Sequence, residues 1–557
     1  MGEGFLYFHG RILVAVAVLG FFCVAMPTAE ARKKEPPVKK MVYVPHDNRP
    51  ISDKQTVDVA RKMGYEIVVP PDENLGGREN LGDPDKLWAW LDARVNAVRK
   101  EKNVDLEAVV VSSDSLLYGS LVGSRKHEYS QKEILGRAAR FQQFRRKYPK
   151  VPLYVFGSIM RTPRSGEASG HMEPPYYDSY GADIFRYTAL QDKAEVEGLD
   201  RREKKELAFL QELIPKTALQ DWTGRRAKNL EANQFLIDLA KKNTFDYLLL
   251  GRDDNAPYSQ THMENRKLSE YAKGVPQTLF RSIAGIDEAG MLLLARAIND
   301  QTKTMPFVFV RYNWGSGAYT VPSYSDEKID TSIDDAISVA GGMRVPSHEK
   351  ADIVLAVNTN PNGKTYDASA RSNDGRMGEG TKYFVDIVEE YLGKGCSVAV
   401  ADVAYANGSD NALMEQMRSR ELLFRLDGYA GWNTATNSTG FVIAETMLAK
   451  RMKRDLVNEL LITRYLDDWA YQANVRNTVA RQLTWLRGDG VYGSLDDKRE
   501  SVSERSARML SRFVERNLPH FADLEEIRVL FPWNRMFEAD ILHSVREQGP
   551  LIKTGRK

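Results

Sequence analysis

Short, continuously apolar runs recur along the chain, each ending in polar or glycine-rich residues and most followed by a helical pattern. They are MVYVP (41–45), YEIVVP (65–70), EAVVVSS (107–113), PLYVFGS (152–158), FDYLLLG (245–251), PFVFVRY (306–312), DIVLAVN (352–358) and CSVAVA (396–401). Two shorter candidates are RSIAG (281–285) and LDGYAGW (426–432). Apolar residues without alternation, separated by helices, mark strands buried on both faces, hence an α/β fold built on a mainly parallel sheet. Eight such strands could close a (β/α)8 barrel. Counting ten favours two successive doubly wound, Rossmann-like lobes, the arrangement expected here.

The lobes divide near residue 303, giving an N-terminal lobe over 41–303 and a second over 304–450. Residues 190–244 are rich in both charges and read as a solvated helical insertion. Residues 451–557 show no clear strand and read as helical, with Trp469, Tyr471, Trp485 and Trp533 as core. Ser52 with Gln55 predicts a capping box, and Asn437 a cap for the helix toward Lys450.

The N-terminus reads as an export signal. Arg11 precedes the apolar stretch 12–25, and Ala29-Glu30-Ala31 offers a cleavage pattern before the basic linker 32–40. Fourteen apolar residues are short for a permanent anchor, which needs about 20. A secreted or periplasmic protein with no stable membrane span is expected. Beyond Cys23 in that stretch the only thiol is Cys396, so internal disulfides are excluded and Cys396 is expected to be buried and inert. With 78 basic and 76 acidic residues, there is no overall field to draw the chain onto nucleic acid.

Ligands of parallel α/β sheets lie outside the carboxyl ends of the strands. The residues there are unusually polar: His46-Asp47-Asn48-Arg49 after the first run, Ser113-Asp114-Ser115 after the third, and Arg252-Asp253-Asp254-Asn255 after 245–251. Asp287-Glu288 follows RSIAG, and Asp402, Asn407-Gly408 and Gly431-Trp432-Asn433-Thr434 come later. Adjacent Asp253 and Asp254 repel unless a cation, a proton or a bound hydroxyl compensates. Asp287-Glu288 could instead cap the following helix, and Asp114 could close a turn.

Several of these stretches resemble a bacterial family of unknown function, the domain of unknown function 4127 family. The resemblance rests on His46 to Pro50, Asp114 to Gly119 through Ser124-Arg125, Gly251 to Asp254, Gly285 to Glu288, and Ala430 to Thr434 with Asn437 and Gly440. It spans about residues 41–450, departs from the family's pattern at Asn48 (usually Asp) and Ser120 (usually Gly), and implies no reaction.

Paired carboxylates whose environments separate their pKa values suit glycoside hydrolysis. A carbohydrate-active hydrolase is therefore expected, acting on a glycan or other small-molecule substrate. Asp253, Asp254, Asp47, Asp114, Asp287 and Glu288 are the acid, base or nucleophile candidates, and Arg49, Tyr118, Arg125, Asn255, Asn407, Trp432, Asn433 and Asn437 the substrate contacts. No cofactor is required. The alternatives are a metal-dependent hydrolase of phosphate or acyl groups, where Mg²⁺ or Ca²⁺ would suit the oxygen-rich donors, and a non-catalytic glycan- or solute-binding protein. No H-E-x-x-H or H-x-x-E-H pair, phosphate loop, G-x-S-x-G elbow or G-x-G-x-x-G after the first strand is present.

Overall fold

The computed structural model describes residues 36–545 apart from 484, 486–489 and 519–523. The expected export signal, 1–31, lies outside the described residues, as does the start of the linker. The linker's end does not: Val38–Lys40 already belong to the first strand.

In chain order the strands are β1 (Val38–Val44), β2 (Glu66–Val68), β3 (Val104–Ser112), β4 (Leu153–Ile159), β5 (Tyr247–Arg252), β6 (Phe280–Ala284), β7 (Phe307–Tyr312), β8 (Met343–Arg344), β9 (Ile353–Asn358), β10 (Tyr366–Asp367), β11 (Val398–Asp402), β12 (Tyr405–Ala406), β13 (Gly428–Ala430), β14 (Leu524–Leu530) and β15 (Asp540–Val545). Every apolar run of the sequence holds a strand. Six strands form one open sheet in the order β2-β1-β3-β4-β5-β6, and five form another in the order β8-β7-β9-β11-β13. All pairs in both are parallel. The fold is α/β with two open sheets, so the closed (β/α)8 barrel does not form. Each sheet starts with its second strand outside its first and then reverses direction of growth, which puts switch points between β1 and β3 and between β7 and β9.

The period-two alternation of each strand feeds two cores. Met41 and Tyr43 face one cluster while Val42 and Val44 face another. In β9, Ile353, Leu355 and Val357 join that first cluster, and Val354 and Ala356 a third. The shared cluster is a helical layer between the sheets. It contains helix Ala289–Thr302, with ten buried residues, and helix Ala435–Ala449, in which all fifteen are buried. A helix buried on every side has no solvent face to offer, so it is held on all sides and its end residues are fixed in place. Truncating Phe441 there would cost about 3–5 kcal/mol.

Several local expectations are corrected. Ser52 does not cap: its Oγ lies 2.8 Å from His46 Nε2, and helix Lys54–Lys62 begins at Asp53 without a side-chain cap. Thr434, not Asn437, caps helix Ala435–Ala449, by accepting from the Asn437 backbone N–H. The helical insertion starts earlier, with helix Tyr176–Val196 followed by Arg201–Leu213 and Lys216–Lys241. Cys396 is free but only partly buried. The C-terminal region is not purely helical: the π-helix Tyr465–Val475 is followed, after helix Arg499–Asn517, by the antiparallel hairpin β14–β15. Among the described side chains of β14, Ile527 and Val529 point inward between the exposed Glu526, Arg528 and Leu530, too short an alternation to read from sequence.

Candidate active site

The carboxyl ends of both sheets open onto one cavity of about 90 Å³. Arg49 comes to it from the turn after β1. Asp47 closes that turn by accepting from the Arg49 backbone N–H at 3.0 Å and from its Nε at 2.9 Å. The guanidinium then reaches across to Asp287, after β6, with Nη2 2.6 Å from Oδ1 and Nη1 3.2 Å from Oδ2. Burial alone would raise the Asp47 carboxyl, but the Arg49 charge and hydrogen bonds hold it at about 2. His46 lies beneath, its Nε2 3.0 Å from Arg49 Nη2, and burial depresses its basicity.

Asp287 also binds the second sheet. Asn433, after β13, donates from Nδ2 at 2.8 Å, and Asn437, in the first turn of the fully buried helix, at 3.4 Å. Asp287 is thus held from two sides and caps nothing; helix Ala289–Thr302 has no side-chain cap.

Asp253 and Asp254 follow β5. Asp253 accepts from Arg125 Nη2 at 2.6 Å. Asp254 accepts at 3.0 Å from Arg161, whose other nitrogens grip Glu173 at 2.7 and 2.9 Å. Asp254 has the most open of these carboxylates, 26% exposed against 9% for Asp253 and 6% for Asp287. Burial raises the Asp254 carboxyl to about 6, helped by the charge of Asp253 and opposed by Arg161 and Arg125. Its backbone is left-handed, φ 35°, and Tyr324, Asn407 and Asn433 on the same walls share that strained region. Such strain collects where a site, rather than packing, dictates the backbone.

The other walls come from residues not expected at the site, Trp533 being expected only as core. Arg161, backed by Glu173, follows β4, and Tyr324 follows β7. Tyr492, Trp533, Arg535, Phe537 and Glu538 come from the C-terminal region. Trp533 packs under two guanidiniums, with Arg49 Cζ 5.0 Å and Arg535 Cζ 5.4 Å from its ring centre. Arg535 pairs with Glu538 through Nε at 2.6 Å and through Nη2. Four arginines and four carboxylates therefore line the cavity, each arginine bound to an acid.

With that shared mouth drawn from strand ends of both sheets and closed by the C-terminal segment, the extent of the family match becomes informative. The chain belongs to the DUF4127 family. The pattern described as "Protein of unknown function (DUF4127)" matches residues 41–542, reaching well past the 41–450 of the sequence resemblance and taking in Trp533, Arg535 and Glu538. A search of the curated proteins returns no match. In this DUF4127 chain the two departures both have local roles. Asn48 Oδ1 accepts from Trp533 Nε1 at 2.7 Å, and Ser120 Oγ caps helix Leu121–Lys126 by accepting from the Gly123 N–H.

Of the expected residues, Asp253, Asp254, Asp287, Arg49, Arg125, Asn407, Asn433 and Asn437 line the cavity. The others stand behind it. Asp114 accepts from the Ser158 N–H and hydroxyl at 2.9 and 3.0 Å, and burial raises its carboxyl to about 7. Glu288 fills a slot in which a Cβ on Gly285 would lie 2.3 Å from its Oε1 and one on Gly440 2.5 Å from its Cγ. Burial raises that carboxyl well above the usual range. Tyr118 is buried and stacks on His127 at 4.8 Å, and Trp432 belongs to the shared apolar cluster, so neither offers a platform to a sugar. Asn255 accepts from the Ala256 N–H and the Ser259 hydroxyl. Among the described residues no group of three or more His, Cys, Asp or Glu is arranged to hold a metal ion.

Proposed function

We propose that this protein is a carbohydrate-active hydrolase whose general acid is Asp254. The observation that carries the reading is an open carboxyl raised to about 6, beside carboxylates each paired to a guanidinium. A group of that pKa holds its proton in mildly acidic solution and releases it readily to a leaving group. Asp254 donates that proton to the glycosidic oxygen as the bond from the anomeric carbon breaks, and a water supplies the replacing hydroxyl.

The partner is Asp253. Asp287 takes two bonds from Arg49 and one each from Asn433 and Asn437, so its lone pairs are occupied, whereas Asp253 receives Arg125 among the described residues. Asp253 serves as base toward the water or as nucleophile. Tyr324, Tyr492 and Phe537 supply apolar faces for a sugar ring, and Asn407 and Asn433 supply amides.

The balance of charge argues against the phosphate ester of the metal-dependent alternative, since no lining arginine lacks an acidic partner. An exported protein would meet polysaccharide outside the cytoplasm; among the described residues no helix is long and apolar enough to cross a membrane. The test is product analysis by mass spectrometry after incubation with pooled plant and bacterial polysaccharides, with and without chelator. Release of sugars unaffected by chelation supports the proposal, and release that requires added Mg²⁺ or Ca²⁺ overturns it in favour of metal-dependent hydrolysis.

A further inference from the structure

The second sheet has a cavity of its own, about 250 Å³, outside the carboxyl ends of β7 and β9. Those are the strands between which the sheet reverses its direction of growth, the position where parallel α/β sheets hold ligands. Asn313, one residue after β7, and Asn358-Thr359-Asn360, at the end of β9, form its floor. The amides are locked to one another: Asn313 Nδ2 donates to Asn358 Oδ1 at 3.0 Å, and Asn358 Nδ2 donates to Asp402 at 3.0 Å and to Asp410 at 3.2 Å.

Three features point to a ligand. Thr359 lines the cavity at 1% exposure, yet its hydroxyl has no partner among the described residues, and a buried hydroxyl left unpaired is costly unless something else meets it. Asn360 spends its Nδ2 on the carbonyls of Lys364 and Ala404, which leaves its carbonyl oxygen as an acceptor. Trp314, next in sequence to Asn313 and 50% exposed, lies beside Gly380 of the wall, its indole Nε1 2.9 Å from where a Cβ on Gly380 would sit. A half-exposed Trp beside a floor of amides and hydroxyls gives an apolar face and in-plane hydrogen bonds together.

The charge at this place selects among ligands. The arginine on the wall, Arg376, is paired with Asp374. No unpaired positive charge is offered to an anion, and the groups that remain suit a neutral polyhydroxylated ring.

We propose that this second cavity binds a neutral sugar residue of a glycan chain, with Trp314 stacking on the ring and Thr359 and Asn360 hydrogen-bonding its hydroxyls. The ribbon β10–β12 joins the two sites, since Tyr405 lines this cavity and Asn407, two residues on, lines the first. Here the cavity binds without cleaving, so the inference goes beyond the hydrolase reading and stands apart from it.

The test is native affinity electrophoresis of the full-length Asp254→Asn protein in gels containing neutral soluble polysaccharides: mixed-linkage glucan, xyloglucan, mannan and starch. At least one should retard it, and Trp314→Ala and Thr359→Val should each weaken that retardation at least fivefold. Thr359→Val removes a hydroxyl with no partner among the described residues, so it leaves folding intact, and an unchanged melting temperature separates lost binding from lost structure. Retardation that neither substitution changes, or no retardation in any gel, overturns the proposal. Sugar release by the unsubstituted protein is read separately, so failure of one reading is distinguishable from failure of the other.

Discussion

Arg49 and Asp287 lie 238 positions apart and meet at 2.6 Å, and the same carboxylate receives Asn433 from the second sheet. One acid therefore ties the end of β1 to the end of β6 and both to the neighbouring sheet. Its role is that of a clasp for the cavity wall, which is why the proton transfer is assigned elsewhere.

Removing the clasp should be expensive. Asp287→Ala leaves the buried Arg49 with Asp47 alone and two amides without their acceptor, a change of the kind that costs about 3–5 kcal/mol. Urea unfolding measures it, and an unchanged midpoint would contradict the clasp.

The indole of Trp533 is oriented by Asn48. Asn48→Asp, the residue usual in the family, keeps an oxygen acceptor and should leave the melting temperature within about 2 °C, whereas Asn48→Leu strands the buried N–H and should cost about 1–3 kcal/mol. Differential scanning calorimetry of the two variants checks the contrast.

Burial raises Glu445 to about 8 against an ordinary value of 4.5, with Arg464 opposing. The folded chain then binds a proton that the unfolded chain has lost, so this group's stabilisation is full below about 4.5 and disappears as pH rises toward 8. Glu445→Gln mimics the protonated acid and should flatten the decline of stability between those limits, by about 3 kcal/mol. Chemical denaturation at pH 5 and pH 8 gives both slopes.

The same reasoning sets the activity profile. Asp254 must be protonated to act, and its carboxyl sits near 6, so kcat/KM should fall about tenfold per pH unit above that value. A rate that stays level to pH 9 would assign the acid to another group.

How much of this was legible in the sequence follows from which signals are local. A strand buried on both faces shows as a run of Val, Leu and Ile, and the residue after it is at the sheet's end, which is how Asp253, Asp254, Asp287 and Arg49 were reached. Arg161 obeys the same rule after β4. Tyr118, Trp432 and Asp114 also follow strands, yet face inward, because strand ends fix position along the sheet and not the direction of a side chain. Trp533, Arg535 and Glu538 lie between the strands of a hairpin with no apolar run, so nothing local announced that they close a cavity built far upstream.

The most direct measurement is reducing-sugar release by the wild type and by Asp254→Asn on the same polysaccharides. Asparagine accepts the left-handed backbone at 254 readily, so the variant should melt with the wild type while losing about 10²–10⁴-fold in turnover. A variant as active as the wild type, or a wild type that binds glycans and releases nothing, would contradict the account.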